Sequence, residues 1–471
     1  MQKAGITQAA TYCSKHMILD KITTQKREEI KALYQQYDLA VLKSQAQPTT
    51  RRFYAEIADK QPFFICEFKR KSPSEGWIAE SAEVAPQVLA YAHAGARAIS
   101  ILTDTPFFGG NYDDLRTAAA ALATLGEQRP LLLQKDFVLD EIQIYLARAA
   151  GADMILLIAA ILSPDELEHL RRIAESLGMG ALVEVHDQAE LDGIQHLDFP
   201  VLGVNNRDLK VFRTALNRVN VLRQQAKGRF IISESGIHSY RDFAVVRAAH
   251  GFLIGTGLMR QGAASLRALQ VPTHLFKACG IRTAELFRED TADLMGINFS
   301  PVSKRRMPLE ILDKTPIPAN AVAVFYQNSE AEIREILEKY PFQRVQLYAG
   351  DVTPEFVRSI RKKVLLAARI RTPEDIEAVH DYAADVDLII LDGPAPGSGT
   401  AAADHLIPED FPYPFLIAGG IHAGNLDRIH RFRNCIGIDT ASGIEQDGEV
   451  SATLIRQIRA YFGTLVGLSK S

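Results

Sequence analysis

Sixteen short apolar runs, each leading into a stretch with helical periodicity, set the strongest limit on what this chain can fold into. The first eight read FFICEF, RAISILT, PLLLQKDF, ADMILLI, ALVEV, VLGVNN, RFIISESG and GFLIGTG. After Pro272 the pattern begins again, with HLFKACG, LMGINFS, AVAVFY, RVQLYAG, KVLLAAR, VDLIILDG, PFLIAGG and CIGIDTASG. A strand–helix unit repeated eight times is the signature of a closed parallel barrel. The pattern predicts an α/β chain of two consecutive (β/α)8 TIM barrels, one in residues 1–270 and one in 271–471. Intervening segments carry helix punctuation. In SPDELEHLRRIAESLG, Ser163 caps the start, Pro164 occupies the first turn and Gly178 ends the helix. Residues 18–45 form a charged amphipathic segment, expected to be helices covering one end of barrel one.

Composition narrows the function classes. The 57 acidic and 53 basic residues leave a formal charge of −4 with no basic tract, which disfavours nucleic acid and anionic membrane and favours small-molecule partners. Cys13, Cys66, Cys279 and Cys435 are widely spaced without a CxxC, which fits neither a disulfide framework nor a zinc site and suits a reducing cytoplasm. No run of about 18 uncharged apolar residues is present, and the first residues lack the apolar core of a signal peptide. The expectation is a cytoplasmic protein with no membrane association and no obligatory protein partner.

Barrel enzymes place their sites at the C-terminal ends of the strands. Side chains alternate along a strand, so in FFICEFK the face of Ile65 continues into Glu67 and Lys69, while Phe64, Cys66 and Phe68 face outward. The same alternation turns Lys135, Glu184 and Glu234 inward, and Asn205 and Arg207 end the sixth strand. So many charges at one mouth are costly unless mutually paired and engaged with a ligand. Glycine and serine in SESGI and IGTGL allow backbone N–H groups to approach an anion, which reads as a phosphate site. In barrel two, Cys279 and Lys277 face inward together, with Asp392 across the mouth.

Barrel one resembles indole-3-glycerol phosphate synthase through EFKRKSPSEGWI, SILTDTPFFGGNYDDL, QKDFV, GADMILLIAAIL, LVEVH, GVNNRDL, SESGI and IGTGLM. Barrel two resembles phosphoribosylanthranilate isomerase through KACGIR, GINFSPVSKRRM, VFYQ, VQL, LDGPAPGSGT, IAGGI and GIDTASGIE. These are consecutive steps of tryptophan biosynthesis, and neither implies a redox cofactor or a metal. The first resemblance implies Lys135 as general acid, Glu184 as general base, and Lys69 steering the substrate carboxylate with Glu67 as its partner. It also implies Ser72, Asn205 and Arg207 around the anthranilate, Phe108 and Phe137 as apolar walls, and Glu234 on the sugar hydroxyls. The phosphate would lie on Ser235, Gly236, Gly255 and Gly257. The second implies Cys279 as base, Asp392 as acid, Arg305 on the anthranilate carboxylate and Asp439 as a nearby contact. Its phosphate would be held at Gly397, Ser398, Gly399, Gly419, Gly420, Ser442 and Gly443. Lys277 and the phosphate-loop N–H groups are expected to lower the pKa of the Cys279 thiol.

Barrel two departs from its family in three places. Tyr348 stands in QLYAG where a histidine is usual, PGSG replaces GGTG, and a lysine and an aspartate are missing after SGIE. A second reading therefore keeps the synthase and makes barrel two a weak or inactive isomerase serving as a binding or structural module. A third, a non-catalytic phosphosugar-binding protein, would require the ionic cluster of barrel one to be structural.

Overall fold

The computed structural model describes residues 17–58, 62–208, 213–226, 228–269, 274–288, 290–394 and 404–468. Eight strands form the first barrel: β1 (Phe63–Phe68), β2 (Ala98–Leu102), β3 (Leu131–Lys135), β4 (Met154–Ile158), β5 (Gly180–Val185), β6 (Val201–Asn205), β7 (Phe230–Glu234) and β8 (Gly251–Ile254). They follow one another around the ring in chain order, all parallel, and β1 closes against β8 with Phe63 opposite Gly251. A second ring comprises β9 (Leu275–Cys279), β10 (Leu294–Asn298), β11 (Ala321–Val324), β12 (Arg344–Tyr348), β13 (Lys363–Arg369), β14 (Leu388–Asp392), β15 (Phe415–Ile417) and β16 (Cys435–Thr440). The expected pair of TIM barrels is the architecture found. Two compact units divide the chain, one of Met1–Thr214, Leu222–Ser239 and Ala249–Leu269, the other of Ala215–Val221, Tyr240–Ala248 and Gln270–Ser471.

The interior of the first barrel is apolar at the strand starts and ionic at their ends. Phe63 and Ile65, Leu131 and Leu133, Leu182, and Ile232 belong to one buried cluster. The next inward residue on those four strands is Glu67, Lys135, Glu184 and Glu234, each set two positions further along its strand. The N-terminal ends of the strands are plugged by α3 (Phe53–Ala58), whose Phe53 ring would lie 2.2 Å from a side chain at Gly180.

Of the two helices that precede α3, α1 (Met17–Gln36) packs Ile30 onto the helix Glu141–Ala149 and brings Ile18, Leu19 and Ile22 to the mouth. The other, α2 (Leu39–Gln45), is capped by Asp38, which accepts from the N–H groups of Ala40 and Val41. The helix Pro164–Ser176 has the expected cap: Ser163 and Glu166 form a capping box, Pro164 is in the first turn, and Gly178 follows at φ 71. In the second barrel Phe276 and Ala278 join the layer between sheet and helices, leaving Lys277 and Cys279 inward. Cys66, Cys279 and Cys435 are free thiols, and Cys66 is buried on the outward face of β1. Cys13 lies outside the described residues.

Candidate active sites

In the first mouth, Lys135 at the end of β3 donates to Glu184 Oε2 at 3.1 Å and lies 3.4 Å from Glu234 Oε2. Asn205 donates to the other oxygen of Glu184 at 3.2 Å, and His186 Nε2 sits 3.1 Å from it. Burial pushes the Glu184 carboxyl up, but Lys135, His186 and Asn205 outweigh it and hold the group well below the ordinary carboxylate range. For Lys135 burial works downward, and the carboxylates Glu184, Glu234 and Glu67 more than offset it, keeping the ammonium charged. Glu234 goes the other way: burial, joined by the Glu184 charge and opposed by Lys135, raises it to about 8. One carboxyl of the pair is thus ionic and the other holds its proton at neutral pH.

Lys69 donates to Glu67 Oε1 at 2.6 Å. Burial pushes the Glu67 carboxyl up, but Lys69 and Lys135 leave it lowered. Gly255 makes room for this pair, since a Cβ there would come within 2.4 Å of Glu67 Oε1. Arg207 donates through Nη1 to Ser74 Oγ at 2.9 Å and approaches Glu75 Oε1 at 3.5 Å, beside the buried Ser72. Phe108 and Phe137 face each other with ring centroids 6.1 Å apart. Apart from Ser74, Glu75 and His186, these residues line one cavity of about 1060 Å³ including its open mouth, a size suited to an aromatic sugar phosphate. At its far end Ser235 (φ 66) and Gly236 (φ 87) make a left-handed turn, and Gly255 precedes a short helix Thr256–Gln261. A positive φ at a serine is uncommon and costs energy, which places strain at the cavity wall. Gly257 is packed behind, 2.9 Å from Ile237 O if given a Cβ.

The second mouth, of about 1200 Å³, is lined by Cys279, Arg305, Tyr348, Asp392, Gly419, Gly420, Asp439 and Ser442 among others. Its turns repeat those of the first: Gly419 (φ 76) and Gly420 (φ 64) turn left-handed after β15, and Ser442 begins a short helical turn after β16. Gly443 abuts Ile421 O, as Gly257 abuts Ile237 O. Gly397, Ser398 and Gly399 lie outside the described residues.

Lys277, with no exposed surface, donates to both carboxylate oxygens of Asp439 at 2.9 Å. That pairing corrects the expectation for the thiol. Burial raises Cys279 above its ordinary range, and Lys277, whose charge is neutralised by Asp439, does not bring it back. Gly296 leaves the space for the thiol, as a Cβ there would meet Sγ at 2.6 Å. Burial and the charge of Asp439 raise Asp392 to about 6, against the Gly393 N–H at 2.7 Å and the Tyr348 hydroxyl, which donates to Oδ2 at 3.3 Å. Gln346 donates to that same hydroxyl at 3.4 Å, so the phenolic proton is directed to Asp392. Arg305 grips Glu445 with both arms of its fork, Nη2 donating to Oε2 at 2.7 Å. A substrate carboxylate must compete with or share that contact.

His186, Glu445 and Lys26 have no role in the sequence reading. His186 lies in the LVEVH run, and its imidazole is raised to about 10 because Glu184 and Glu190 outweigh its burial. Lys26 carried the plainest signal, a single lysine at i+4 from Ile22 and i−4 from Ile30 on an apolar helical stripe.

Residues 19–269 match the family of indole-3-glycerol phosphate synthase, and residues 276–460 that of N-(5'phosphoribosyl)anthranilate (PRA) isomerase. The tryptophan biosynthesis protein TrpCF of Haemophilus influenzae is 31% identical over 92% of this chain and 94% of its own length. That of Salmonella typhi is 31% identical over 94% of this chain and 99% of its own. An indole-3-glycerol phosphate synthase from Azoarcus is 42% identical over 54% of this chain and 98% of its own length.

Proposed function

The chain belongs to the TrpCF family of bifunctional tryptophan biosynthesis proteins, an indole-3-glycerol phosphate synthase joined to a phosphoribosylanthranilate isomerase, and from that premise we propose how its residues divide the chemistry. The isomerase converts N-(5'-phosphoribosyl)anthranilate to 1-(2-carboxyphenylamino)-1-deoxyribulose 5-phosphate. The synthase closes that product, with loss of carbon dioxide and water, to indole-3-glycerol phosphate. We assign the synthase to residues 1–270 and the isomerase to 271–471, a division supported by the two family matches and by eight strands for each ring.

In the synthase, a carbon of the anthranilate ring attacks the ketose carbonyl carbon, and Lys135 delivers a proton to the carbonyl oxygen as it becomes a hydroxyl. Departure of carbon dioxide returns its bonding pair to the ring system. The hydroxyl then takes a second proton, from Lys69, and leaves as water, while Glu184 accepts the proton released from the adjacent ring carbon, whose C–H bonding pair completes the aromatic ring. Lys69, held by Glu67, steers the carboxylate that leaves. Ser72, Asn205 and Arg207 orient the anthranilate between Phe108 and Phe137, and Glu234, protonated at neutral pH, donates to a sugar hydroxyl. Ser235, Gly236, Gly255 and Gly257 receive the phosphate.

In the isomerase, Cys279 as thiolate removes the C2 proton of the opened ribosylamine, and Asp392 supplies the proton that accompanies ring opening. Arg305 takes the anthranilate carboxylate, Asp439 holds Lys277 beside the thiol, and the phosphate lies on Gly419, Gly420, Ser442 and Gly443, joined by Gly397, Ser398 and Gly399. The substrates are small and phosphorylated, and the reading includes no cofactor, nucleic acid, membrane or obligatory protein partner. A cytoplasmic setting is supported by the free thiols; among the described residues no helix is long and apolar enough to cross a membrane.

The observation that carries this assignment is the position of Lys135 between two buried carboxyls, 3.1 Å from Glu184 Oε2 and 3.4 Å from Glu234 Oε2. Assay of both reactions on the purified full chain tests it. Absence of ring closure would remove the synthase reading, and absence of the isomerisation would leave barrel two as a binding module.

A further inference from the structure

Lys26 is 3% exposed, although it lies on an N-terminal helix before the first barrel strand. Its ammonium lies 3.0 Å from Asp104 Oδ2, 2.8 Å from Asp136 Oδ1 and 2.7 Å from Glu29 Oε2. Asp104 follows β2 and caps the short helix Thr105–Phe108, its Oδ1 accepting from the N–H groups of Phe107 and Phe108. Asp136 directly follows Lys135; its Oδ1 accepts from the Phe137 N–H at 2.8 Å and its Oδ2 from Thr103 Oγ1 at 2.6 Å. A single cation therefore joins three parts of one cavity: the helix bearing Ile18, Leu19 and Ile22, the loop bearing Phe108, and the loop bearing Phe137.

We propose that Lys26 is a positioning residue of the synthase, clamping α1 across the mouth and setting the spacing of its two aromatic walls. The proposal rests on the reading of barrel one as the synthase. A lysine this buried must be paired, and two aspartates this close together need a cation between them. The arrangement is stable only with all three present, so the helix and both loops are held to one geometry. Ile18, Leu19 and Ile22 then form an apolar side of the slot in which the anthranilate ring lies between Phe108 and Phe137. Lys26 does not reach the reacting atoms; its effect on the reaction passes through the walls.

The test uses the full chain. Lys26→Met is expected to raise the synthase KM at least about tenfold with a smaller change in kcat, and to leave both isomerase constants unchanged. Because Lys26→Met strands two aspartates, the triple variant Lys26→Met, Asp104→Asn, Asp136→Asn removes their charges; it is expected to regain thermal stability while its KM stays raised. A wild-type KM in either folded variant overturns the proposal, since the network would then serve stability alone. Should neither variant fold, hydrogen exchange of the wild-type protein decides: residues 17–30 are expected to exchange more slowly with indole-3-glycerol phosphate bound, and unchanged exchange overturns it. A wild-type chain that does not close the ring would instead refute the synthase reading, which separates the two failures.

Discussion

The two mouths share a pair of glycine-bearing turns at one end and differ at the other. After the seventh strand of each ring a two-residue left-handed turn, Ser235–Gly236 or Gly419–Gly420, faces the cavity, and after the eighth a short helical turn begins. At the other end charge pairing governs the first mouth and burial governs the second. Around Lys135 opposite charges outweigh desolvation at two of the three carboxylates, so Glu67 and Glu184 stay ionised, while burial prevails at Glu234. In the second mouth the buried ammonium of Lys277 is matched by Asp439, and Cys279, Tyr348 and Asp392 are raised, by burial first. The same scaffold thus presents a charged acid–base pair in one ring and groups with raised pKa in the other. What decides is the count of opposite charges within a few ångströms, since burial is common to both.

The largest effects fall on turnover. Lys135→Ala and Glu184→Gln each lower synthase kcat at least about a hundredfold, and Cys279→Ala lowers isomerase kcat by a similar factor, each leaving the other reaction unchanged. Separate assays of both reactions on each variant check this. A matching loss in both would refute independent mouths, and full isomerase turnover in Cys279→Ala would make the thiol structural.

Stability should move in opposite directions in the two mouths. Asp392 is raised from 3.8 to about 6, so above pH 6 the folded protein carries its charge at a cost the unfolded chain does not bear, roughly 3 kcal/mol. Asp392→Asn removes that cost and is expected to raise the thermal midpoint at pH 8, with the gain disappearing as pH falls below 3.8. Glu184, lowered in the fold, contributes stability above its unfolded value and loses it in acid, so Glu184→Gln is expected to lower the midpoint at pH 8 by stranding Lys135 and His186. Thermal melts of both variants across this range would break the comparison if their signs agreed.

Alkylation sharpens it further. With the Cys279 thiol raised, a small reagent is expected to inactivate the isomerase slowly at neutral pH and faster as pH rises, to be slowed by a phosphate-bearing substrate analogue, and to spare the synthase. Peptide mapping of the adduct locates it, and a fast, pH-independent reaction at Cys279 would mean that charge rather than burial governs the second mouth as well.

The smallest effect concerns Tyr348. The groups facing Asp392 are Asp439, which raises it, and Tyr348, Lys277 and the Gly393 N–H, which lower it. Removing the phenol in Tyr348→Phe leaves the carboxylate less stabilised, so the limb set by Asp392 as proton donor, where isomerase activity falls as pH rises past about 6, should move upward. An unmoved limb would show that Tyr348 does not act on Asp392.

Sequence alternation alone placed Glu67, Lys135, Glu184, Glu234, Cys279 and Asp392 at strand ends facing inward, because in a parallel barrel the strand period of two leaves one face for the interior. The sixteen apolar runs likewise determined two rings. It could not say which charges meet: Lys26 reaches Asp104 and Asp136 across more than seventy residues of chain, and Arg305 reaches Glu445 across 140. Nor could it give the sign of the Cys279 shift, for a lysine two positions back predicts a lowered thiol until Asp439, on the neighbouring strand β16, is seen to neutralise it. Strand faces follow from local geometry and so are written in the sequence, whereas pKa depends on the balance of burial and charge at one point in space, which only the closed barrel defines.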